Sequence, residues 1–488
     1  MSVKPRSIKY NVILNWINTV VGIMFPIVTF PYISRVIGPE GLGIMNFDQS
    51  IINYIGIIAS LEISLYAIRQ VSKARDNESE QFKCTVEILL LHLFLIVIGY
   101  LAVVVIYFTV PNVSAHGSVF LVLSIQLFFN TIGANWFFQA REDFKYIMMR
   151  ALSVKLLAAV SLFLFVKTDD DLIYYALIIS LSDVANYTLN FIRLSRIVSF
   201  GSIKWRQLRI FRHLKPAVVV FAMSFAMKFY IDLPVLFLGF ECEEVNVGYY
   251  TTASKLVTVA VLLVSSLGTA MLPRMSHYFA SGDVDKFRDL AHNGMTFVIG
   301  LTLPICIAMM VIAPELIYCF SGNQFAPSAD VLRIIAPNVL FIGIATIAGL
   351  QILYPQGKEI FVVRSAVVGL LVSVVFNLLF THVMAQIGAA YSFLATEFVV
   401  VLTVVFLGRR FICYRFFNSS VIRYVISAGV MTVTLLLLHS YCEINVYAKL
   451  VIEIVAGVAV YAGLLVILKD PLFISLVKPV VYKILKKA

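Results

Sequence analysis

Fourteen apolar stretches long enough to cross a lipid bilayer run through this sequence, and basic residues collect in every second gap between them. A helical span needs ~20 mostly apolar residues to cross ~30 Å of hydrocarbon. Residues 88–140 contain no Asp, Glu, Lys or Arg, and their one polar break, at 111–117, indicates two helices joined by a tight turn. With 60% hydrophobic and 13% charged residues, the chain leaves no room for a soluble catalytic domain. The sequence therefore predicts an all-α integral membrane protein.

The predicted spans differ in length, and each boundary is uncertain by a few residues. They are 11–33, 44–68, 86–109, 118–138, 146–166, 172–192, 216–239, 248–271, 292–319, 328–353, 360–382, 386–407, 422–441 and 447–468.

The basic residues predict how the chain is oriented. The gaps on the starting side of the membrane, with both termini, hold 31 of the 38 Lys and Arg residues, whereas the opposite gaps hold Arg35, Lys167 and Lys449 and the acidic runs 169–171 and 241–244. Because basic loops stay in the cytoplasm, we expect both termini to be cytoplasmic. Basic loops facing anionic lipid also account for the net charge of +11, so no nucleic-acid partner is expected.

Two similar hairpin sequences indicate an internal duplication. The first contains Pro31, Gly38, Glu40 and Gly43, and the second contains Pro234, Gly239, Glu241 and Gly248. Their offset of about two hundred residues equals six spans plus a basic loop. An even number of spans gives two copies of the same orientation, related by a pseudo-twofold axis along the membrane normal.

The duplication predicts four regions in the chain. They are an N-terminal six-helix lobe (1–192), a basic cytoplasmic linker (193–215), a C-terminal six-helix lobe (216–408), and helices 13 and 14 with a basic cytoplasmic tail (409–488).

The N-terminal block carries a family resemblance. Its residues are Asn18, Pro26, the run Pro31-Tyr32-Ile33-Ser34-Arg35-Val36-Ile37-Gly38-Pro39-Glu40-Gly41-Leu42-Gly43, then Asp48, Tyr54 and Tyr66-Ala67-Ile68-Arg69. This block resembles bacterial polysaccharide (O-antigen or capsule repeat-unit) flippases, of the multidrug/oligosaccharidyl-lipid/polysaccharide exporter superfamily. The stretches 248–255 and 273–276 resemble the second-half motifs of the same family. The block is also compatible with a purely architectural hairpin, because glycine permits tight turns and proline kinks a helix.

The resemblance implies a function. Such a protein moves undecaprenyl-diphosphate-linked oligosaccharide from the cytoplasmic to the periplasmic leaflet of the inner membrane by alternating access, for O-antigen, capsule or exopolysaccharide biosynthesis. It is not an enzyme and needs no cofactor. Its partners are the lipid-linked oligosaccharide, membrane lipids, a polysaccharide polymerase and a chain-length regulator, with H⁺ or Na⁺ as coupling ions.

Basic residues within or beside the spans are candidates for binding an anionic diphosphate, because charges at membrane depth usually face a cavity or a partner. These candidates are Lys228, Lys255, Arg333, Lys155, Arg35 and Arg364. Alternatives remain for some of them. Lys228 can pair with Asp232 four residues later on the same helix, and Arg364 can extend to the cytoplasmic interface.

Acidic residues within the spans are candidates for ion coupling: Asp183, Asp48, Glu62 and Asp232. An unpaired carboxylate at membrane depth should hold a proton or a cation. Asp183 lies in the middle of its span, which makes it the best candidate, unless Lys155 neutralises it. Asp48 lies near a helix start, where the helix dipole alone could stabilise it.

No metal site is expected from the sequence. His92, His116, His382 and His439 have no second ligand at helical spacing. The six cysteines are scattered, which argues against a disulfide framework.

Three other functions compete with the flippase. A cation-coupled multidrug exporter and a lipid II flippase belong to the same superfamily, but the N-terminal block fits them less well. A membrane glycosyltransferase or polymerase acting on the same lipid carrier needs a sizeable external loop with a catalytic acid or base. Here the outer gaps are short, and the dense acidic run 169–171 is typical of a capped, solvated turn.

Overall fold

The computed structural model describes residues 8–198, 205–412, 414, 418–442 and 444–475. Within these ranges the chain is nearly all helical and forms no β-strand, which confirms the predicted all-α class. The middle of the predicted linker, 199–204, and the end of the basic tail, 476–488, lie outside the described residues.

The helices are numbered in chain order. The first ten are α1 (Ile8–Ser60), α2 (Ile63–Lys73), α3 (Glu78–Thr109), α4 (Pro111–Ala115), α5 (Gly117–Gly133), α6 (Asn135–Ala140), α7 (Phe144–Phe165), α8 (Leu172–Ile197), α9 (Leu214–Phe229) and α10 (Leu233–Glu241). The rest are α11 (Glu244–Ala280), α12 (Val284–Val311), α13 (Ala313–Ser321), α14 (Ser328–Ile335), α15 (Asn338–Thr346), α16 (Ile360–Gly408), α17 (Ser419–Tyr441) and α18 (Val446–Ile467). A π-helical segment, Ile347–Leu353, follows α15.

Many of these helices are long and apolar enough to cross a membrane. In the described part of the chain nine pass that test, or ten when the segments Met24–Ser60 and Ile63–Lys73, bent by 42°, count as one broken span. Two of the long helices contain sharp turns, at Gly38 in α1 and at Ala385 in α16. The multi-span architecture is therefore confirmed, whereas the number of fourteen spans stays a prediction.

Local capping determines where several helices begin. The side chains of Asn77, Asp283, Asn418 and Asn445 each accept a hydrogen bond from a backbone N–H in the first turn that follows. Such caps satisfy donors that have no partner within the helix. The acidic run Asp169–Asp171 forms a short 3₁₀ turn closed by a capping box with Thr168, which confirms that it is a capped turn.

The chain divides into two compact units, Met1–Gly248 and Tyr249–Ala488. In the first unit the core is aromatic, with Trp136, Phe137 and Phe138 buried against residues of α2 and α3. In the second unit the buried cluster joins α12 to α17 and α18, through residues such as Met295 and Met431. Helices α9 and α10 pack against α2 and α1 in the first unit, although the sequence assigns them to the C-terminal lobe. The predicted lobe boundaries stay a prediction.

Equivalent glycines of the two repeated hairpins pack against each other within the first unit. A Cβ atom on Gly43 would lie 1.8 Å from the carbonyl oxygen of Glu244, and one on Gly248 would lie 1.9 Å from that of Pro39. The contact is reciprocal, because each glycine meets the carbonyl four residues before the other. Such a self-complementary contact is what a twofold relation produces, so this geometry supports the internal duplication.

We predict that Gly43→Ala and Gly248→Ala each destabilise the protein by at least about 2 kcal/mol, because a methyl group would force two backbones apart. The measurement is thermal unfolding of the purified protein in detergent. Gly429→Ala is the matched control, since a Cβ atom there has no neighbour within 4 Å, and its stability should be unchanged or slightly raised. Equal stability of all three variants would contradict the close crossing.

Candidate functional site

Two helical spans of the first unit are interrupted beside the same cavity. The first break lies between α1 and α2, where Leu61 and Glu62 adopt left-handed backbone angles (φ 46° and 49°). The second lies between α9, which ends at Phe229, and α10, which begins at Leu233 after Asp232. Left-handed angles are unfavourable for residues with a side chain, by about 1–3 kcal/mol each. Such strain persists only where the surrounding structure holds it.

An ion pair joins the two breaks. Lys228 Nζ lies 2.6 Å from Glu62 Oε1, with the Glu62 side chain nearly buried and the Lys228 side chain half-exposed. The sequence left open whether Lys228 pairs with Asp232, and the structure pairs it with Glu62 instead. Since Glu62 and Lys228 are 166 residues apart, no helical spacing could have indicated this pair.

The ion pair lines a polar cavity of about 370 Å³. Asp232, Asn53, Gln126, Asn130 and Tyr187 also line it. The cavity therefore collects one cationic group, two carboxyl groups and several neutral hydrogen-bonding side chains. That mixture suits a ligand with both phosphate and hydroxyl groups.

Hydrogen bonds stabilise the walls of this cavity. Tyr54 donates its hydroxyl hydrogen to the carbonyl of Phe229, at 2.5 Å, which satisfies an acceptor at the broken end of α9. Gln126 donates to Gln49 at 3.1 Å, and Gln49 donates to Asn53 at 2.9 Å. Irregular backbone at membrane depth is tolerated only where it is buried in protein or lines a wet cavity. Transporters commonly build their binding sites at such discontinuous helices.

Sequence reasoning identified Glu62, Lys228 and Asp232 but missed the neutral residues of the cavity. Gln126 and Asn130 are four residues apart in an otherwise apolar stretch, which places them on one helix face. That spacing is the signal that could have found them. Neutral amides at membrane depth need hydrogen-bond partners just as charged groups do.

Lys155 and Asp183 lie in neighbouring helices, α7 and α8, of the same unit. They are close enough for an electrostatic interaction, but no ion pair within 4 Å joins these two described residues. Lys155 Nζ instead lies beside α1, 3.5 Å from where a Cβ atom of Gly22 would be. Lys155 therefore does not form the close ion pair with Asp183 that would make this carboxylate purely structural.

Asp48 is fully buried in α1, and its Oδ2 atom has no hydrogen-bond partner among the described residues. Its electrostatic neighbour is another carboxylate, Glu244. Asp48 therefore lies in a buried environment beside a second carboxylate, Glu244.

The four remaining candidates are not among the residues that line the polar cavity of the first unit. Arg35 is exposed on α1 and donates to the Pro31 carbonyl at 2.6 Å. Lys255 is partly buried on α11. Arg333 is exposed near the end of α14 and pairs locally with Asp330 at 2.8 Å.

Arg364 is the last of these candidates, and it lies in the second turn of α16. Its side chain is exposed, with the guanidinium carbon 6.0 Å from the centre of the Phe361 ring. That position is compatible with a side chain that extends to the membrane interface.

A second buried polar cluster fixes the end of the linker to the first unit. Glu87 is fully buried in α3, accepts the backbone N–H of Arg209 at 2.7 Å and pairs with Arg212 at 2.6 Å. His213 lies 2.9 Å from Glu87 and 2.7 Å from the hydroxyl of Tyr66. Burial lowers the pKa of His213, which favours the neutral ring. This cluster therefore holds the end of the linker in place and is not a candidate binding site.

An apolar cavity of about 420 Å³ lies in the second unit. Residues of α12, α17 and α18 line it, among them Pro304, Met431 and Val458. Its surface suits a hydrocarbon chain and offers almost no polar contact.

His439 is not isolated, contrary to the expectation from the sequence. Its Nδ1 atom lies 3.1 Å from Glu315 and 3.5 Å from Glu453, residues that come from two other helices of the second unit.

Two protein families and several individual proteins match this chain, and their names are related. The family described as "Polysaccharide biosynthesis protein" matches residues 8–279, and the family described as "MatE" matches residues 216–379. An Escherichia coli K12 protein named "Putative O-antigen transporter" is 24% identical over 403 residues, 82% of this chain and 96% of that protein. The Haloferax volcanii "Probable low-salt glycan biosynthesis flippase" is 25% identical over 255 residues, 52% of each chain.

Solved structures show the same fold. The lipid II flippase MurJ, in an inward closed conformation, superposes with a TM-score of 0.75 at 14% identity, over 96% of this chain and 99% of that one. An inward-facing MATE family transporter of the MOP superfamily gives 0.57 at 15% identity, over 82% and 98%. At these identities the likeness concerns the fold alone.

We predict that Lys228→Met destabilises the protein by about 1–3 kcal/mol, because it leaves the Glu62 carboxylate without its cation. The double variant Lys228→Met/Glu62→Gln should recover most of that loss. Thermal unfolding in detergent measures both effects, and Lys286→Met is the control, since its pair with Asp283 is exposed and should contribute little. Additive losses in the double variant would show that the two side chains do not interact.

Proposed function

This chain belongs to the polysaccharide biosynthesis protein family, whose model matches more than half of it, and on that premise we propose that it is a flippase for a lipid-linked oligosaccharide. The proposed direction is from the cytoplasmic to the periplasmic leaflet of the bacterial inner membrane, with both termini cytoplasmic. The chain contributes binding and conformational change and catalyses no covalent chemistry. The names of the bacterial and archaeal relatives support this class of activity.

The single observation that carries the proposal is the polar cavity at two broken helices of a membrane protein. A lipid-linked oligosaccharide has a charged diphosphate and many hydroxyl groups that cannot cross hydrocarbon unaided. Lys228 supplies a cation in the cavity, and Asn53, Gln126 and Asn130 supply amide groups for hydroxyls. The amides donate and accept hydrogen bonds, as sugar recognition requires.

We assign to Lys255, Lys155, Arg333, Arg35 and Arg364 the role of cationic contacts for the diphosphate along its path. Undecaprenyl is the carrier lipid we propose, and the apolar cavity of the second unit has the surface that a hydrocarbon tail requires. A polysaccharide polymerase and a chain-length regulator are the proposed protein partners.

Resetting an empty carrier requires two states of similar energy that a ligand biases. We assign the coupling role to Asp183, which has no ion pair within 4 Å among the described residues, and propose that it exchanges H⁺ or Na⁺ during the cycle. Asp48, Glu62 and Asp232 are the secondary candidates. Of these, Asp48 keeps a buried oxygen without a hydrogen bond in the described chain, whereas Glu62 already pairs with Lys228.

Replacing Lys255 by Ala should reduce surface-glycan export by at least about tenfold at unchanged protein level, since a charge-assisted contact contributes ~1.5–3 kcal/mol. Lys255→Arg should partly restore export. The assay complements a deletion strain and measures surface glycan together with the lipid-linked intermediate, which should accumulate on the cytoplasmic leaflet. Full export by the double variant Lys228→Ala/Lys255→Ala would refute the role of these side chains.

The same strains test the rival function that the match to the MatE family favours. A drug exporter would change drug resistance and leave the lipid-linked intermediate unaffected by deletion.

Asp183→Asn should slow transport several-fold in reconstituted vesicles, because the amide cannot take up and release a proton or a cation. Wild-type transport should fall when the proton and sodium gradients are both collapsed. Asp285→Asn is the control, since Asp285 is exposed in the first turn of α12. Transport that ignores both gradients would exclude the coupling role of Asp183.

A further inference from the structure

Three helices of the second unit bring two carboxylates and one imidazole together near their ends. Glu315 lies in the first turn of α13, His439 in the last turn of α17 and Glu453 two turns into α18. His439 Nδ1 lies 3.1 Å from Glu315 Oε1 and 3.5 Å from Glu453 Oε1. One ligand atom from each side chain lies within 4.8 Å of the other two.

The polar atoms of this cluster lack the hydrogen bonds that buried groups normally make. Glu453 is 0% exposed and Glu315 is 6% exposed. Among the described residues, neither oxygen of Glu453 has a hydrogen-bond partner, nor does Oε2 of Glu315 or Nδ1 of His439. Buried carboxylates without hydrogen bonds are strongly unfavourable. A cation between the three side chains would take one ligand atom from each of them.

The spacing fits a small divalent transition metal. Zinc binds imidazole nitrogen and carboxylate oxygen at ~2.0–2.2 Å, which in a tetrahedron puts neighbouring ligand atoms about 3.3 Å apart. The two measured separations, 3.1 and 3.5 Å, lie on either side of that value. Magnesium and calcium are less suited, since they require six or more oxygen ligands.

Charge also favours a divalent ion. Lys449 Nζ lies 2.9 Å from Glu315 Oε1 and 3.1 Å from the carbonyl oxygen of His439. With a neutral imidazole, one ammonium and two carboxylates leave a net negative charge at a nearly buried position. Lys449 contacts the same Glu315 oxygen, Oε1, that lies 3.1 Å from His439, so the ammonium and the metal would compete for that oxygen.

We propose that Glu315, His439 and Glu453 bind one divalent transition-metal ion, with Zn²⁺ the best fit and a fourth position open to water. The ion reaches the site through His439, whose side chain is one-third exposed. Because its ligands come from α13, α17 and α18, the bound ion links the last two helices to α13. This site shares no residue with the polar cavity, although Glu453 also lines the apolar cavity, and its test measures metal binding rather than transport.

The test uses full-length protein, purified in detergent and freed of metal with a chelator. Calorimetric titration with Zn²⁺ should give about one ion per chain and a raised unfolding temperature, and Co²⁺ should give the visible absorption of a tetrahedral site. Glu453→Gln and His439→Gln should each weaken binding by at least about 100-fold. The matched controls Glu359→Gln and His382→Gln, which alter the same residue types elsewhere in the second unit, should bind as the unaltered protein does.

Lys449→Met separates the metal site from a network of ion pairs alone. A metal site should bind Zn²⁺ at least as tightly without Lys449, because the ammonium repels the ion, and Zn²⁺ should restore the stability that the variant loses. If the cluster is only an ion-pair network, Lys449→Met should lower the unfolding temperature and added Zn²⁺ should not raise it again. If Glu453→Gln does not fold, the zinc affinity of His439→Gln tests the proposal instead. The partly exposed position of His439 should tolerate an amide side chain. Absence of saturable Zn²⁺ binding, or equal binding in His439→Gln and His382→Gln, would overturn the proposal.

Discussion

The structure depends on one constraint: hydrocarbon offers no water to a polar group, so each buried backbone or charged atom must find its partner inside the protein. Continuous helices meet this requirement for the backbone. Where a helix breaks, as at Glu62 and at Asp232, side chains must supply partners for the backbone and charged groups that the helix leaves unpaired. The Lys228–Glu62 pair and the hydrogen bond from Tyr54 to Phe229 do so. The breaks are therefore costly features, and these contacts offset part of their cost.

A second consequence of the constraint is the close approach of backbones at small residues. Within the first unit, Gly43 meets Glu244 and Gly248 meets Pro39 at distances that exclude any side chain. Packing at glycine replaces the hydrophobic driving force that is missing between helices in lipid. The two glycines occupy corresponding places in the two similar hairpin sequences, so the predicted duplication would place a small residue on each side of this contact.

The buried charges differ in how completely they are satisfied. Glu87 is surrounded by donors from Arg209, Arg212 and His213. A buried carboxylate with this many partners has a structural role. Glu453 keeps both oxygens without a hydrogen bond in the described part of the chain. That contrast, rather than burial alone, distinguishes the Glu87 cluster from the proposed metal site.

The sequence by itself determined the all-α membrane class, the repeated hairpins, the capped turn at Asp169–Asp171 and the placement of the charged residues Glu62, Lys228 and Asp232 within predicted spans. These follow from hydropathy, spacing and capping, which are local properties of the chain. Only the tertiary structure decided that Lys228 pairs with Glu62, that Gln126 and Asn130 line the same cavity, and that His439 meets Glu315 and Glu453. Each of these contacts joins helices far apart in sequence, and which helix faces meet depends on the packing of the whole bundle, which no local pattern records.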